Sequence, residues 1–533
     1  MHIFCAIVGA GVLALPNTFV ALGWIAGPCL IVAFYAISML TSFLLADVYQ
    51  IDGVEFARYH HAVRYILSRW ESYALAVCQM GNMVLVTIAY TVSPATAMKR
   101  IAQLACEFEG RDLDDCWDST WKMTLIFGAL QVPLSLMPNL ESLWWISGIG
   151  ALMSVIYATI ALALGLKYAS NHMGTIGGLT DSPADKTFSI MNALGAIAFA
   201  YAFHVILLEI QDTLRQPPRA SRTMKKATFW SINLVFFYYI VIAVGGYASL
   251  GNDAPSYIFA GYPQAPRWVM MFGNICLLVH MVSAFQLYAQ PVFETIESNV
   301  KAYVFRGKYA KHARTAGVEG GEPQAREPAD VAKDSLTQAD EGGALASQVD
   351  STSPVPTDPV IIRVPATGPL PLDTPVPGAP RSGIPIDFHA RPSPGLKRKS
   401  STKRQLERLS RASAMYRVST GLANDDVETN EEHRLPFLLR FGMRTLYVIA
   451  VTVIACCLPF FSDIAGLIGA VTFWPLSVYF PIAMWRKVYR PKGLFNVLLV
   501  SISLIMFLVA VVATVGSIRS IVESSKNYTV FGD

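Results

Sequence analysis

The sequence predicts an all-α integral membrane protein of about eleven transmembrane helices. Three observations carry that expectation. Hydrophobic residues make up 53% of the chain and charged residues only 15%, whereas a soluble protein carries roughly 25% charge. Mean hydropathy is +0.41. Apolar runs of bilayer-spanning length recur at about 2–22, 24–49, 74–98, 122–138, 143–167, 187–211, 227–250, 267–296, 437–461, 463–485 and 493–518. The fourth is short and interrupted by Pro133 and Pro138.

The first run contains Val8-Gly9-Ala10-Gly11-Val12-Leu13-Ala14-Leu15-Pro16. Each glycine costs a helix about 1 kcal/mol relative to alanine. Opened backbone in a bilayer is tolerated only where protein or a water-filled cavity satisfies it. The stretch therefore reads as a helix broken near mid-membrane, offering free N–H and C=O groups to a site. Close helix packing through small residues is the alternative. No Lys or Arg precedes the run, so no signal peptide is expected, and the chain enters the membrane with almost no tail.

Basic residues set the orientation. Arg58, Arg64 and Arg69 follow the second span. Arg215, Arg219, Arg222, Lys225 and Lys226 follow the sixth. Arg486, Lys487, Arg490 and Lys492 follow the tenth. Eleven alternating spans put all three groups on one side, the cytosol. The acidic loop after the third span then lies outside, with Cys106 and Cys116. An oxidising exterior favours a disulfide between them; two free thiols are the alternative. Tyr59 to Tyr73 reads as one interfacial amphipathic helix, with His60 and His61 solvated.

The chain divides into spans one to eight over 1–297, a polar insertion over 298–435, spans nine to eleven over 436–520, and a short non-cytosolic tail over 521–533. The middle of the insertion is dense in proline and cannot bury a core. A basic cluster follows at Leu396 to Ser413, suited to anionic lipid. Phosphate on Ser400, Ser401, Ser410 or Ser413 would weaken that attraction and make the loop a target of cytosolic regulators. A plain solvated linker is the alternative. Asn527-Tyr-Thr529 is a glycosylation sequon in the tail.

Polar groups within spans mark cavities or helix contacts. In the sixth run, His204 lies near the middle and can change charge near physiological pH. A neutral histidine bonded to a backbone carbonyl is the alternative. Glu209 and Asp212 lie further toward the cytosol, and Asp47 ends the second span. Ser283, Gln286 and Gln290 share one face of the eighth span, as pore lining or as helix glue. Tyr90 lies among Thr87, Thr91 and Ser93 in the third. No nucleophile elbow, P-loop, zinc helix or metal-ligand spacing occurs. An enzyme, a nucleotide-driven pump, a metal site, a cofactor and a nucleic-acid partner are therefore not expected.

Four stretches resemble the plant-type amino acid permeases of the amino acid/auxin permease family. They are Gly9 to Pro16 with Ala21 to Pro28; Phe199 to Leu214 with Thr223 to Ala227 and Gly246 to Asn252; Gln286-Leu-Tyr-Ala-Gln-Pro291; and Leu458 to Ala470 with Phe473 to Pro481. They reach nearly all spans in family order. The family also has a cysteine pair after span three, matching Cys106 and Cys116. The resemblance implies a LeuT-like architecture of two inverted five-span repeats plus one span. It implies proton-coupled amino acid symport, H+ being the coupling ion, in a multi-pass protein of the plasma membrane or, alternatively, an endomembrane.

Carried over, Gly9, Ala10 and Gly11 would meet the substrate's carboxylate or amine. Phe199, Phe203 and His204 would line the opposite side; Tyr90, Ser283 and Gln286, from the polar residues of the third and eighth spans, are the further substrate-binding candidates. His204, Glu209 and Asp47 are the proton-coupling candidates. Two departures stand out. His204 occupies a position where the general permeases usually carry a small hydroxyl residue, and the 298–435 insertion exceeds the family's short loop. Alternatives are an amino acid sensor signalling through that insertion, or a carrier of auxin-like aromatic acids.

Overall fold

The computed structural model describes residues 7, 9, 11–51, 53–112, 116–117, 119–137, 144–169, 174–179, 182–214, 217–315, 435–526 and 528, with backbone alone over 302–315. Ala10, Ser400, Ser401, Ser410, Ser413 and Asn527 lie outside them, as does most of the insertion. Residues 1–306 and 425–533 form one compact unit.

That unit is helical apart from a two-residue hairpin, Gln50–Ile51 against Val54–Glu55. In chain order the helices are α1 Gly11–Asp47, α2 Tyr59–Ile66, α3 Arg69–Glu109, α4 Thr120–Leu134, α5 Trp144–Lys167, α6 Pro183–Ala200, α7 Leu207–Asp212, α8 Ala220–Leu250, α9 Arg267–Thr315, α10 Phe437–Cys457, α11 Phe461–Thr472, α12 Phe480–Tyr489 and α13 Leu494–Ser525. Among the described residues, nine helical segments are long and apolar enough to cross a membrane. One of them, α1, folds back at Gly23 and so supplies two passes. The fifteen-residue α4 is shorter. Counting both gives the eleven passes expected.

The reversal at Gly23 has a local cause. Its φ is +71°, and a Cβ there would lie 2.2 Å from the Ile176 carbonyl oxygen. Only glycine adopts that backbone at no steric cost. The loop 174–179 closes on the turn through Trp24 N–H to Ile176 O and Leu179 N–H to Val20 O. The predicted Tyr59–Tyr73 helix is instead two elements. Helix α2 stops at Ile66, and Ser68 caps the start of α3 by accepting from Glu71 N–H. His60 and His61 are half-buried rather than solvated. Burial, with the neighbouring His61, Arg58 and Arg64, holds the His60 imidazole down to about 4.

The two ends of the unit carry the contacts that alternation demands. At one end Asp47 pairs with Lys225 at 2.6 Å, Arg58 with Glu294 at 2.9 Å, and Lys487 reaches the Leu67 carbonyl. At the other, Arg267 pairs with Glu107, Arg519 with Asp185, and Cys106 is bonded to Cys116.

Beside the insertion lies a buried ion pair. Arg444 Nε meets Glu297 Oε1 at 2.7 Å, with side-chain exposures of 2% and 11%. The guanidinium also donates to the Ser135 and Met137 carbonyls at the unwound end of α4. Helices α4, α9 and α10 are thereby fastened where the insertion leaves and rejoins the membrane. Glu297→Gln strands a buried guanidinium, a loss of about 3–5 kcal/mol. A marked fall in the thermal unfolding midpoint of the detergent-purified protein is the expected result.

Helices α6 and α11 touch through backbone. A Cβ on Gly469 would lie 2.1 Å from Gly195 O and 2.3 Å from Phe199 N. Small residues give membrane helices this approach. Gly469→Val must push α11 off α6, costing about 1–3 kcal/mol or more. Loss of the monodisperse size-exclusion peak, with Gly81→Ala (open space around it) retaining it, checks this.

Candidate functional site

Among the described residues, two segments in the membrane core depart from helix. The first is the approach to α1. Gly9 N–H turns back to Ile7 O at 2.9 Å, and α1 starts only at Gly11. The second is Tyr201-Ala202-Phe203, between α6 and the 3-10 turn His204–Ile206 that leads into α7. The breaks fall in the first and sixth passes, five apart, as an inverted five-span repeat requires.

The opened carbonyls are met by tyrosines from neighbouring helices. Tyr239 of α8 is fully buried, and its hydroxyl lies 2.7 Å from Ile7 O and 3.0 Å from Ala200 O. One phenol thus joins the first break to the second. Tyr157 of α5 donates to Gly9 O at 3.2 Å. Ser38 of α1 reaches Tyr201 O at 3.4 Å. In lipid an unmet carbonyl costs several kcal/mol, so these hydroxyls are what allow the breaks to persist.

Between the breaks lies a closed cavity of about 10 Å³, room for about one water. Gly9, Gly11, Tyr90, Phe199, Phe203 and Tyr288 face it. Of the two glycines, Gly9 is the one the fit requires while the Tyr90 ring stays in place. A Cβ on Gly9 would lie 2.4 Å from the Tyr90 hydroxyl, and one on Gly11 3.4 Å from the Phe199 ring. On the side of the Cys106–Cys116 disulfide, which the basic loops lead one to expect outside the cytosol, a vestibule of about 680 Å³ opens, bordered by Asn17, Asp185, Asn192, Phe461, Asp463 and Arg519. Phe461 borders the vestibule and Phe199 the cavity. Their rings meet edge to face at 6.3 Å, so this aromatic pair is the partition.

The opposite side, expected to face the cytosol, is shut. Gln79 of α3 donates to the Val205 carbonyl and to Glu209 Oε1, both at 2.9 Å. Tyr59 donates to Leu476 O, and Gln211 to Ala46 O. Tyr49 donates to Asp212 at 2.9 Å. Burial and that carboxylate push the Tyr49 hydroxyl above its usual range, so it stays a donor.

The expected site residues separate into two groups. Gly9, Gly11, Tyr90, Phe199 and Phe203 come together around the cavity. His204, Ser283 and Gln286 do not line it. The turn at 204–206 swings the His204 ring toward α1, where Nε2 lies 2.8 Å from Ser42 Oγ, 3.0 Å from Thr41 Oγ1 and 3.2 Å from Ser38 O. Ser42 and Thr41 each donate to a carbonyl of their own helix. The Ser38 carbonyl can only accept, so Nε2 carries a proton. Ser283 bonds the His280 carbonyl of its own helix, and Gln286 bonds Gln131 of α4 at 2.8 Å. Gln286 thus acts in a helix contact. Asp47 sits at the cytosolic surface in its pair with Lys225.

Ile7, Val86, Ala202 and Tyr288 of the cavity, and Tyr157 and Tyr239 behind it, were not expected. The signal for the tyrosines was present: a phenol in mid-span needs a partner.

A family model described as transmembrane amino acid transporter protein matches residues 1–522. This chain belongs to the transmembrane amino acid transporter family. Amino acid permease 6 of Arabidopsis thaliana is 29% identical to it, over 99% of this chain and 91% of its own. Amino acid permease 2 of Arabidopsis thaliana is 30% identical over 99% of this chain and 88% of its own. Lysine histidine transporter-like 4, also of Arabidopsis thaliana, is 30% identical over 56% of this chain and 65% of its own. The chain is thus a multi-pass membrane protein of a transporter family, with a bilayer as its partner.

Tyr239→Phe keeps the ring and removes the hydroxyl shared by Ile7 O and Ala200 O. Loss of about 1–3 kcal/mol is expected from the unmet carbonyls. The check is thermal stability beside uptake per molecule at the membrane; both fall, whereas an unchanged pair would show that the carbonyls do without it.

Proposed function

We propose that the protein is a proton-coupled amino acid symporter of the plasma membrane. One observation carries the reading: two broken helices joined by Tyr239 enclose a small cavity beneath an open vestibule. Backbone groups at the two breaks are held by turns and by side-chain hydroxyls instead of by regular helix, so they can exchange those partners for the two charged ends of an amino acid. The family and the permeases among its relatives support the same substrate class. Substrate would enter past Phe461 and Phe199, and rocking of the broken helices would then open the cytosolic side.

For the proton, the placement of the three candidates favours Glu209. Asp47 already has Lys225. His204 is held as a donor to the Ser38 carbonyl. Glu209 lies on α7, the half-helix that must move, and shares Gln79 with the Val205 carbonyl. A proton on this carboxyl removes its charge from the membrane and weakens its hold on Gln79, releasing α7 from α3. Glu209→Gln mimics the protonated form. It is expected to retain amino acid exchange while losing acid-driven accumulation. His204→Gln is expected to keep the acid dependence. If Glu209→Gln accumulates substrate like wild type and His204→Gln does not, the coupling belongs to His204.

The sensor reading assigns the work to the insertion. The Glu297–Arg444 pair fastens the membrane helices without it. Deletion of about 310–430 should therefore preserve uptake; loss of a cellular output with binding intact would favour the sensor.

A further inference from the structure

Away from the transport path, the tenth and eleventh passes part on their lipid-facing side. A groove of about 360 Å³ runs between them, lined by Trp474, Tyr479, Ile482, Ala483, Leu504 and Phe507. It is pinned at both ends. Trp474 Nε1 donates to Ser503 O at 2.8 Å, and Arg486 Nε donates to Asn496 Oδ1 at 2.7 Å. Between the pins the chain passes through the π-turn Phe473–Tyr479. Such a turn holds an extra residue in the helix and displaces its face.

The groove's length and charge are both informative. Trp474 and Arg486 are separated by about 18 Å at 1.5 Å per residue, close to the roughly 15 Å of one leaflet's hydrocarbon. Arg486 is the charged residue among the groove's lining, and no acidic residue borders it. Its Nε is engaged by Asn496, which leaves the terminal nitrogens of the guanidinium to the oxygens of an anionic group such as a phosphate. The same cytosolic loop adds Lys487, Arg490 and Lys492.

We propose that this groove is a binding site for one anionic glycerophospholipid of the cytosolic leaflet. An acyl chain lies along the aromatic and aliphatic walls up to Trp474, and the phosphate meets Arg486. The site touches the transport cycle. Leu476 O, in the same π-turn, accepts from Tyr59, and the Tyr479 hydroxyl bonds Glu71 of α3 at 3.2 Å. A seated lipid therefore braces the segment that closes the cytosolic side.

The test is native mass spectrometry of the full chain extracted from vesicles of phosphatidylcholine with phosphatidylserine. Wild type is expected to retain phosphatidylserine in preference to phosphatidylcholine, and inorganic phosphate should not displace it. Arg486→Gln lowers that retention by about fivefold. Ala483→Trp fills the groove with every charge in place and abolishes retention; Leu504→Trp does the same from the other wall if the first variant does not fold. Equal retention of phosphatidylserine in wild type and these variants, or no preference for it over phosphatidylcholine, overturns the proposal.

Discussion

The structure depends on how opened backbone is satisfied inside a bilayer. Where a helix stops in lipid, its carbonyls need donors that water cannot supply. Here a single phenol, Tyr239, serves Ile7 O at one break and Ala200 O at the other. That arrangement fixes the two breaks beside each other and sets the height of the cavity. Tyr157 holds Gly9 O in the same way, from another helix. Both donors come from helices that are themselves unbroken across the membrane core, so continuous helices hold the interrupted ones in register.

The two sides of the cavity are closed by different chemistry. Toward the vestibule the partition is an aromatic pair, Phe199 and Phe461, with no hydrogen bond between the rings to break. Toward the cytosol it is a set of directional bonds: Gln79 with Val205 O and Glu209, Tyr49 with Asp212, Gln211 with Ala46 O. Rotating rings is a smaller event than breaking buried hydrogen bonds, each of which leaves an unmet group. This asymmetry makes the non-cytosolic side the easier one to open in the conformation observed. It also places a titratable carboxyl, Glu209, inside the harder gate.

Much of this was legible in the sequence, for physical reasons. Run length marked the membrane passes, because a bilayer sets a minimum span. Gly9 and Gly11 announced the first break, because paired glycines weaken a helix. The second break carried no such mark. Tyr201-Ala-Phe203 contains neither glycine nor proline, and its opening is held by Tyr239 and Ser38 from elsewhere in the chain. The side of His204 followed the same limit. The family resemblance pointed it at the cavity, but the 3-10 turn after the break carries it to Ser38, Thr41 and Ser42. Gln286 lay on a polar face as expected, yet it meets α4 and not the cavity. Polar residues at helical spacing identify a face, while its neighbour is decided by packing.

The central claim is that the cavity passes an amino acid together with a proton. The most direct measurement uses purified protein in sealed proteoliposomes, following a labelled neutral amino acid while the external medium is made acidic. The account predicts accumulation above the external concentration, collapsing when a protonophore dissipates the gradient. Accumulation that is indifferent to the protonophore, or no amino acid uptake at all by folded protein, would contradict it.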